Sequence, residues 1–140
     1  MELKEKFRKK IKTLGTWVTQ AHRYNVEIAA NAQYDWLCID LEHSTIDLDQ
    51  MGQLIALAKA RGIDPLVRVS ELNQTLIKRV MDSGAVGIIV PMINTAEQAR
   101  AANSAMQYPP LGTRGVGLSS AQRFGATFNE YKSWLKENAV

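Results

Sequence analysis

The segment WLCIDLEHS, Trp36 to Ser44, places three ionisable side chains, Asp40, Glu42 and His43, at the end of an apolar run. Buried strands of a parallel α/β sheet read as continuous hydrophobic residues, and ligands bind in the crevice at their carboxyl ends. Polar groups at such a tip therefore mark a site. Later apolar runs end in Arg68 and in Pro91-Met92. Polar groups from successive strands converging on one face are how a (β/α) barrel assembles its active site. A carboxylate, an imidazole and a guanidinium suit proton transfer on an acidic substrate, with Arg68 binding oxyanion charge and His43 acting as base. Each has a plainer alternative, an ion-pair partner for Arg68 and a satisfied core residue for His43, but their coincidence favours chemistry.

The elements that must position these residues follow from periodicity. Leu3, Phe7 and Ile11, spaced by four in a lysine-rich opening, predict an amphipathic helix with its basic face in solvent. Leu14 to Val18 reads as a strand carrying Trp17, then Asn25 to Ala32 as a helix, Trp36 to Asp40 as a strand and Asp47 to Arg61 as a helix stopped by Gly62. Pro65 to Val69 predicts a strand, Gln74 to Ser83 a helix ended by Gly84, and Val86 to Met92 a strand. Thr95 and Gln98 have the spacing of a capping box opening a helix to Met106. The order β-α-β-α-β-α-β-α with short connections means a parallel sheet with right-handed crossovers. Gln107 to Phe124 is too long for a simple connector, and Thr127 to Asn138 reads as a further helix.

Composition limits the classes of function. With 140 residues, 46% hydrophobic and 22% charged, the chain can bury a core, and residues 1–140 are expected to form one domain. The net charge of +3 is concentrated in the first dozen residues, away from any aromatic-studded basic face, so no nucleic-acid partner is expected. A membrane- or RNA-associated protein would rest on that helix alone. No stretch approaches the ~18 apolar residues of a membrane span, and the charged amino terminus lacks the apolar core of a signal peptide. The sole cysteine, Cys38, lies within an apolar run as a small buried hydrophobe. A cytoplasmic location is the expectation.

IDLEHS at 39–44, LVRV at 66–69, MDSGAVGIIVPM at 81–92 and YPPLGTRGVG at 108–117 resemble, in order and spacing, the HpcH/HpaI family of class II 2-oxo-acid aldolases. The resemblance runs from about Leu14 to Tyr131. It implies a TIM-type (β/α)8 barrel of which this chain is the amino-terminal half, about four parallel βα units preceded by a short helix. It implies reversible cleavage of a 4-hydroxy-2-oxo acid to pyruvate, or a related 2-oxo acid, and an aldehyde, assisted by Mg²⁺, Mn²⁺ or Co²⁺.

By position, His43 matches the family's catalytic base, which works through a metal-bound water, and Arg68 matches the arginine that stabilises the enolate oxygen. Asp82 matches the aspartate credited with raising that histidine's basicity, yet it ends a predicted helix, which belongs at the opposite end of a barrel. Asp40 is the easier partner, and a local backbone contact is the plainer fate of Asp82. Trp17 would line the pocket or pack as a core residue. Arg114, in a glycine-rich segment that lacks the strand-to-helix context of a phosphate loop, could meet substrate together with Arg123, or stand at the surface.

The metal ligands and the carboxylate-gripping loop of the family lie beyond the fourth unit, so Asp40 and Glu42 would stand beside the substrate without ligating the ion. A half barrel leaves open sheet edges and an uncovered apolar interior. That pattern fits a fragment, one half of a split enzyme, or a half barrel that closes by pairing with itself. It predicts a homo-oligomer or a complementing half-barrel chain as partner, and leaves a non-catalytic binding or assembly module as the second function.

Overall fold

A computed structural model describes residues 1–140. Four strands, β1 (Gly15–Val18), β2 (Trp36–Asp40), β3 (Asp64–Arg68) and β4 (Gly87–Ile89), form one parallel sheet in sequential order. Helices α2 (Arg23–Asn31), α3 (Leu48–Ala60) and α4 (Gln74–Asp82) connect them, and α5 (Ala96–Met106) follows β4. Sequential parallel strands joined by helices are one half of a TIM-type α/β barrel. No helix is long and apolar enough to cross a membrane.

Local chemistry sets the helix boundaries. The Thr95–Gln98 capping box forms as the spacing predicts, and a second one, Asp47 with Gln50, opens α3. Each satisfies two backbone donors that a helix start otherwise leaves without partners, worth about 1 kcal/mol. Gly62 and Gly84 follow α3 and α4 with φ of 74° and 99°, a conformation in which a Cβ would be strained.

Strand alternation divides the side chains into two layers. Leu37, Ile39, Val67 and Val18 point to the helices and join Met51, Ile55, Ile77, Val80 and Met81 in the main core. Trp36, Cys38 and Asp40 point the other way, in register with Asp64, Leu66 and Arg68 on β3. This inner face is closed at the amino ends of the strands. Leu3 from α1 (Leu3–Arg8) packs on Cys38, Leu66 and Val86, with Trp134 and Val140 against them. Trp134 belongs to α6 (Phe128–Asn138), whose indole N–H donates to Glu2 Oε2 at 3.2 Å. The interior expected to be uncovered is therefore covered at this end and open only towards the strand tips.

Two elements are shorter than the sequence predicts. The first helix ends at Arg8, because Lys10 turns to a left-handed φ of 55°, leaving Phe7 and Ile11 exposed and Leu3 alone buried. Strand β4 has three residues, and Met92 beyond it takes φ 57° with an exposed side chain. The edge of β4 is not bare: Val140 N donates to Val86 O at 3.1 Å and Ile88 N donates to Val140 O at 2.9 Å.

Candidate active site

Asp40 ends β2 on the inner face and Arg68 ends β3 directly beside it, a pairing that the parallel register imposes. The guanidinium donates through Nε to Asp40 Oδ1 at 2.9 Å and through Nη2 to Oδ2 at 2.7 Å, a two-pronged charge-assisted contact. Asp40 Oδ1 also accepts from the backbone N–H of Glu42 at 3.0 Å and of His43 at 3.2 Å. A single carboxylate thus folds the tip of β2 into the turn that presents Glu42 and His43. Ser44 secures the same turn by donating its hydroxyl to Asp40 O and accepting from Ile46 N at 3.1 Å. The Arg68 guanidinium holds the Asp40 carboxyl down at about 2, helped by the two backbone donors and opposed by burial. The same pairing raises Arg68.

Glu42 stands between Arg68 and His43. Its Oε2 is 3.3 Å from Arg68 Nε, and its Oε1 is 3.7 Å from His43 Nε2. The His43 side chain is 72% exposed, so it is free to reach a bound molecule. Across the face, the Arg68 guanidinium carbon lies 4.6 Å from the centre of the Trp17 ring. One edge of the guanidinium is fixed by Asp40, while Nη1 has no protein acceptor and is available to an incoming oxyanion. Cys38, one layer below, is driven up to about 12 by burial and is no nucleophile.

The structure brings together His43, Arg68, Asp40, Glu42 and Trp17, and does not bring Asp82 or Arg114 to them. Asp82 is the last residue of α4 and leads into the start of β4, which places it at the amino ends of the strands. There it accepts from Arg114 Nη2 at 3.0 Å, and burial raises its carboxyl despite that cation. Within one chain its partner is Arg114, not His43. The expectation that Arg114 meets substrate is corrected likewise. Its side chain is 0% exposed and donates to Met106 O, Tyr108 Oη and Tyr131 Oη at 2.9, 2.9 and 3.2 Å.

The glycine-rich segment around it is a brace. Thr113 N and Arg114 N donate to Ser104 O and Gln107 O, seating the segment on the end of α5. Arg123 sits in an irregular 3-10 turn, Ser120–Gly125, that is tied by Ser120 Oγ to Asp82 O and Ser83 O, again away from the strand tips.

Hard divalent cations take several oxygen ligands. No three His, Cys, Asp or Glu side chains gather closely enough to hold one, and the oxygens of Asp40 are already committed to Arg68 and the turn. The residues present do not fit a divalent metal.

Residues 13–136 match the family described as HpcH/HpaI aldolase/citrate lyase. The chain is 42% identical over 119 residues to a 2-keto-3-deoxy-L-rhamnonate aldolase of Salmonella typhi, covering 85% of this chain and 45% of that protein. It is 40% identical over 113 residues to a 2-dehydro-3,6-dideoxy-6-sulfogluconate aldolase of Pseudomonas putida, covering 80% of this chain and 44% of that one. Among solved structures, an HpcH/HpaI aldolase from Desulfitobacterium hafniense DCB-2 superposes with a TM-score of 0.86 at 28% identity, over all of this chain and 55% of the other. The chain spans about half the length of these relatives. A match over most of its residues, on a sheet whose strand tips carry Asp40, His43 and Arg68 in the order of the motifs, makes this chain a member of the HpcH/HpaI aldolase/citrate lyase family.

Proposed function

We propose that residues 1–140 act as one partial barrel domain of a 2-oxo-acid aldolase, supplying the base and the oxyanion partner for reversible cleavage of a 4-hydroxy-2-oxo acid to pyruvate, or a related 2-oxo acid, and an aldehyde. The observation that carries this reading is the half-anchored arginine: Asp40 fixes one edge of Arg68 at the tip of β3, Nη1 has no protein acceptor, and Glu42 lies between the guanidinium and an exposed imidazole.

In the synthetic direction His43 takes a proton from the methyl carbon next to the ketone. The electron pair passes to the carbonyl oxygen, where Arg68 meets the developing charge, and the enolate carbon then attacks the aldehyde, whose oxygen takes up the proton that His43 removed. Cleavage runs the same steps backwards. A preorganised donor aimed at developing charge is worth about 3–4 kcal/mol of barrier in measured cases. Trp17 walls the pocket, and Asp40 and Glu42 hold the two functional groups in place. The family's divalent cation, Mg²⁺, Mn²⁺ or Co²⁺, would draw its ligands from residues outside this chain.

The chain is expected to work with a complementing half-barrel chain or a second copy, because β1 exposes an unpaired edge. A single monodisperse monomer in light scattering at micromolar concentration would end that expectation. The second reading is a non-catalytic assembly module or one half of a split enzyme.

Pyruvate release from a 4-hydroxy-2-oxo acid, coupled to lactate dehydrogenase with Mg²⁺ or Mn²⁺ present, separates the two. Turnover lost in His43→Ala and Arg68→Ala supports the aldolase reading. Turnover unchanged in both variants overturns the assignment of these residues, and no turnover in the parent chain alone leaves the family assignment standing and points to residues that this half barrel lacks.

A further inference from the structure

Trp17 is the one tryptophan of three whose indole N–H has no hydrogen-bond partner. Trp36 Nε1 donates to Thr13 Oγ1 and Trp134 Nε1 to Glu2 Oε2, both at 3.2 Å. Those two rings are fixed by their edges. Trp17 is 46% exposed, and its face meets the Arg68 guanidinium, 4.6 Å from ring centre to Cζ. The two residues are not on neighbouring strands: Trp17 lies on β1 and Arg68 on β3, with β2 between them. The inner-face residue of β2 in register with Trp17 is Cys38, whose small side chain leaves room for the indole to cross above it.

The contact completes the restraint of the guanidinium. Asp40 fixes the edge formed by Nε and Nη2, which still allows the plane to tilt about that edge towards solvent. An aromatic face against the guanidinium blocks the tilt, and the attraction of a cation to the ring's electron-rich face favours the stacked arrangement. What remains free is the outer edge, held in one direction.

We propose that Trp17 is a positioning residue that acts through Arg68, setting the plane in which the guanidinium presents its free N–H groups to an enolate or other oxyanion. The proposal rests on the aldolase reading for its chemical purpose, while the restraint itself is a property of this chain. It predicts that the face of the ring matters more than the volume it fills. Phenylalanine supplies a face and leucine supplies only apolar bulk.

The test compares Trp17→Phe and Trp17→Leu with the parent chain, following the Arg68 Nε–H resonance in ¹⁵N-edited NMR, with Arg68→Lys used to assign it. In the parent the signal is displaced by the ring current of the indole and exchanges slowly with water. In Trp17→Leu the displacement vanishes and exchange quickens about three- to fivefold, as expected from losing one partly exposed cation–π contact. In Trp17→Phe a displacement persists and exchange stays within about twofold of the parent. An unchanged signal in Trp17→Leu, or the same change in both variants, overturns the proposal whatever the catalytic outcome. If the signal behaves as expected and turnover is indifferent to Arg68→Ala, the restraint stands and the aldolase reading is what fails.

Discussion

Replacing Asp40 by asparagine removes the charge that both folds the β2 tip and anchors Arg68, and the pH dependence of the loss can be worked out. Asp40 accepts from Arg68 Nε and Nη2 and from the backbone of Glu42 and His43, at 2.9, 2.7, 3.0 and 3.2 Å. Asparagine keeps one acceptor but turns an NH₂ group towards Arg68 Nη2, so a donor faces a donor. In the native chain the carboxyl sits at about 2, against an ordinary 3.8. At ~1.4 kcal/mol for each tenfold difference in proton affinity, that gap stabilises the fold by about 2 kcal/mol. The folded value is the lower of the two, so this stabilisation is complete above about pH 4–5 and disappears as pH falls through 2. Urea unfolding followed by tryptophan fluorescence should therefore place Asp40→Asn about 2 kcal/mol below the parent at pH 7, with the difference shrinking steadily between pH 4 and pH 2. A gap that is constant over that range, or that widens on acidification, would refute the account of Asp40 as an ionised anchor.

Other substitutions probe the rest of the frame. Arg114→Leu strands Asp82, the Tyr131 hydroxyl and the Met106 carbonyl without their donor, leaves Tyr108 with Gln122 Nε2 alone, and should cost about 3–5 kcal/mol in a denaturant melt; a loss below 1 kcal/mol would show that the network is dispensable. Gly15→Ala would place a methyl group 2.0 Å from the Trp36 ring, and a destabilisation of about 1–3 kcal/mol is expected in the same melt. The Cys38 thiol, buried and raised to about 12, should react with Ellman's reagent at neutral pH only as fast as the chain unfolds. Prompt stoichiometric labelling of the folded chain would contradict its place beneath Leu3 and Trp134.

The strand–helix alternation was legible in the sequence because buried parallel strands read as apolar runs and the helices carry punctuation: Gly62, Gly84 and the Thr95–Gln98 box all perform the roles their types suggest. The meeting of Asp40, Glu42, His43 and Arg68 was legible for a related reason. Residues at successive strand tips must converge once the strands are parallel and in order. The course of the chain after α5 was not legible, since nothing local shows that α6 crosses beneath the sheet and lays Trp134 and Val140 against its inner face. Nor did spacing disclose the Trp17–Arg68 stack, which spans an intervening strand and depends on the small size of Cys38. Short-range signals also failed at Lys10 and Met92, where left-handed backbone lies within stretches that their side chains would have allowed to continue as helix and strand.

Arg68 and Arg114 show why residue type and an acidic partner do not by themselves identify a working group. Each binds a single aspartate within 3.0 Å, and each lies beside an aromatic ring, Trp17 for one and Tyr108 for the other. They differ in what remains free. Arg114 gives its terminal N–H groups to Asp82, Met106, Tyr108 and Tyr131, joining α4, the exit of α5 and α6, and its one unpaired donor, Nε, is buried with no surface left for a ligand. Arg68 is held along one edge and one face and retains unpaired donors at the open end of the sheet. Donors already satisfied by protein stabilise the fold, whereas donors held in place without a partner gain most when charge develops next to them. On that count the two ends of this sheet have separate tasks: the amino end ties the half barrel together through Arg114, and the carboxyl end keeps Arg68 aimed and unsatisfied beside His43.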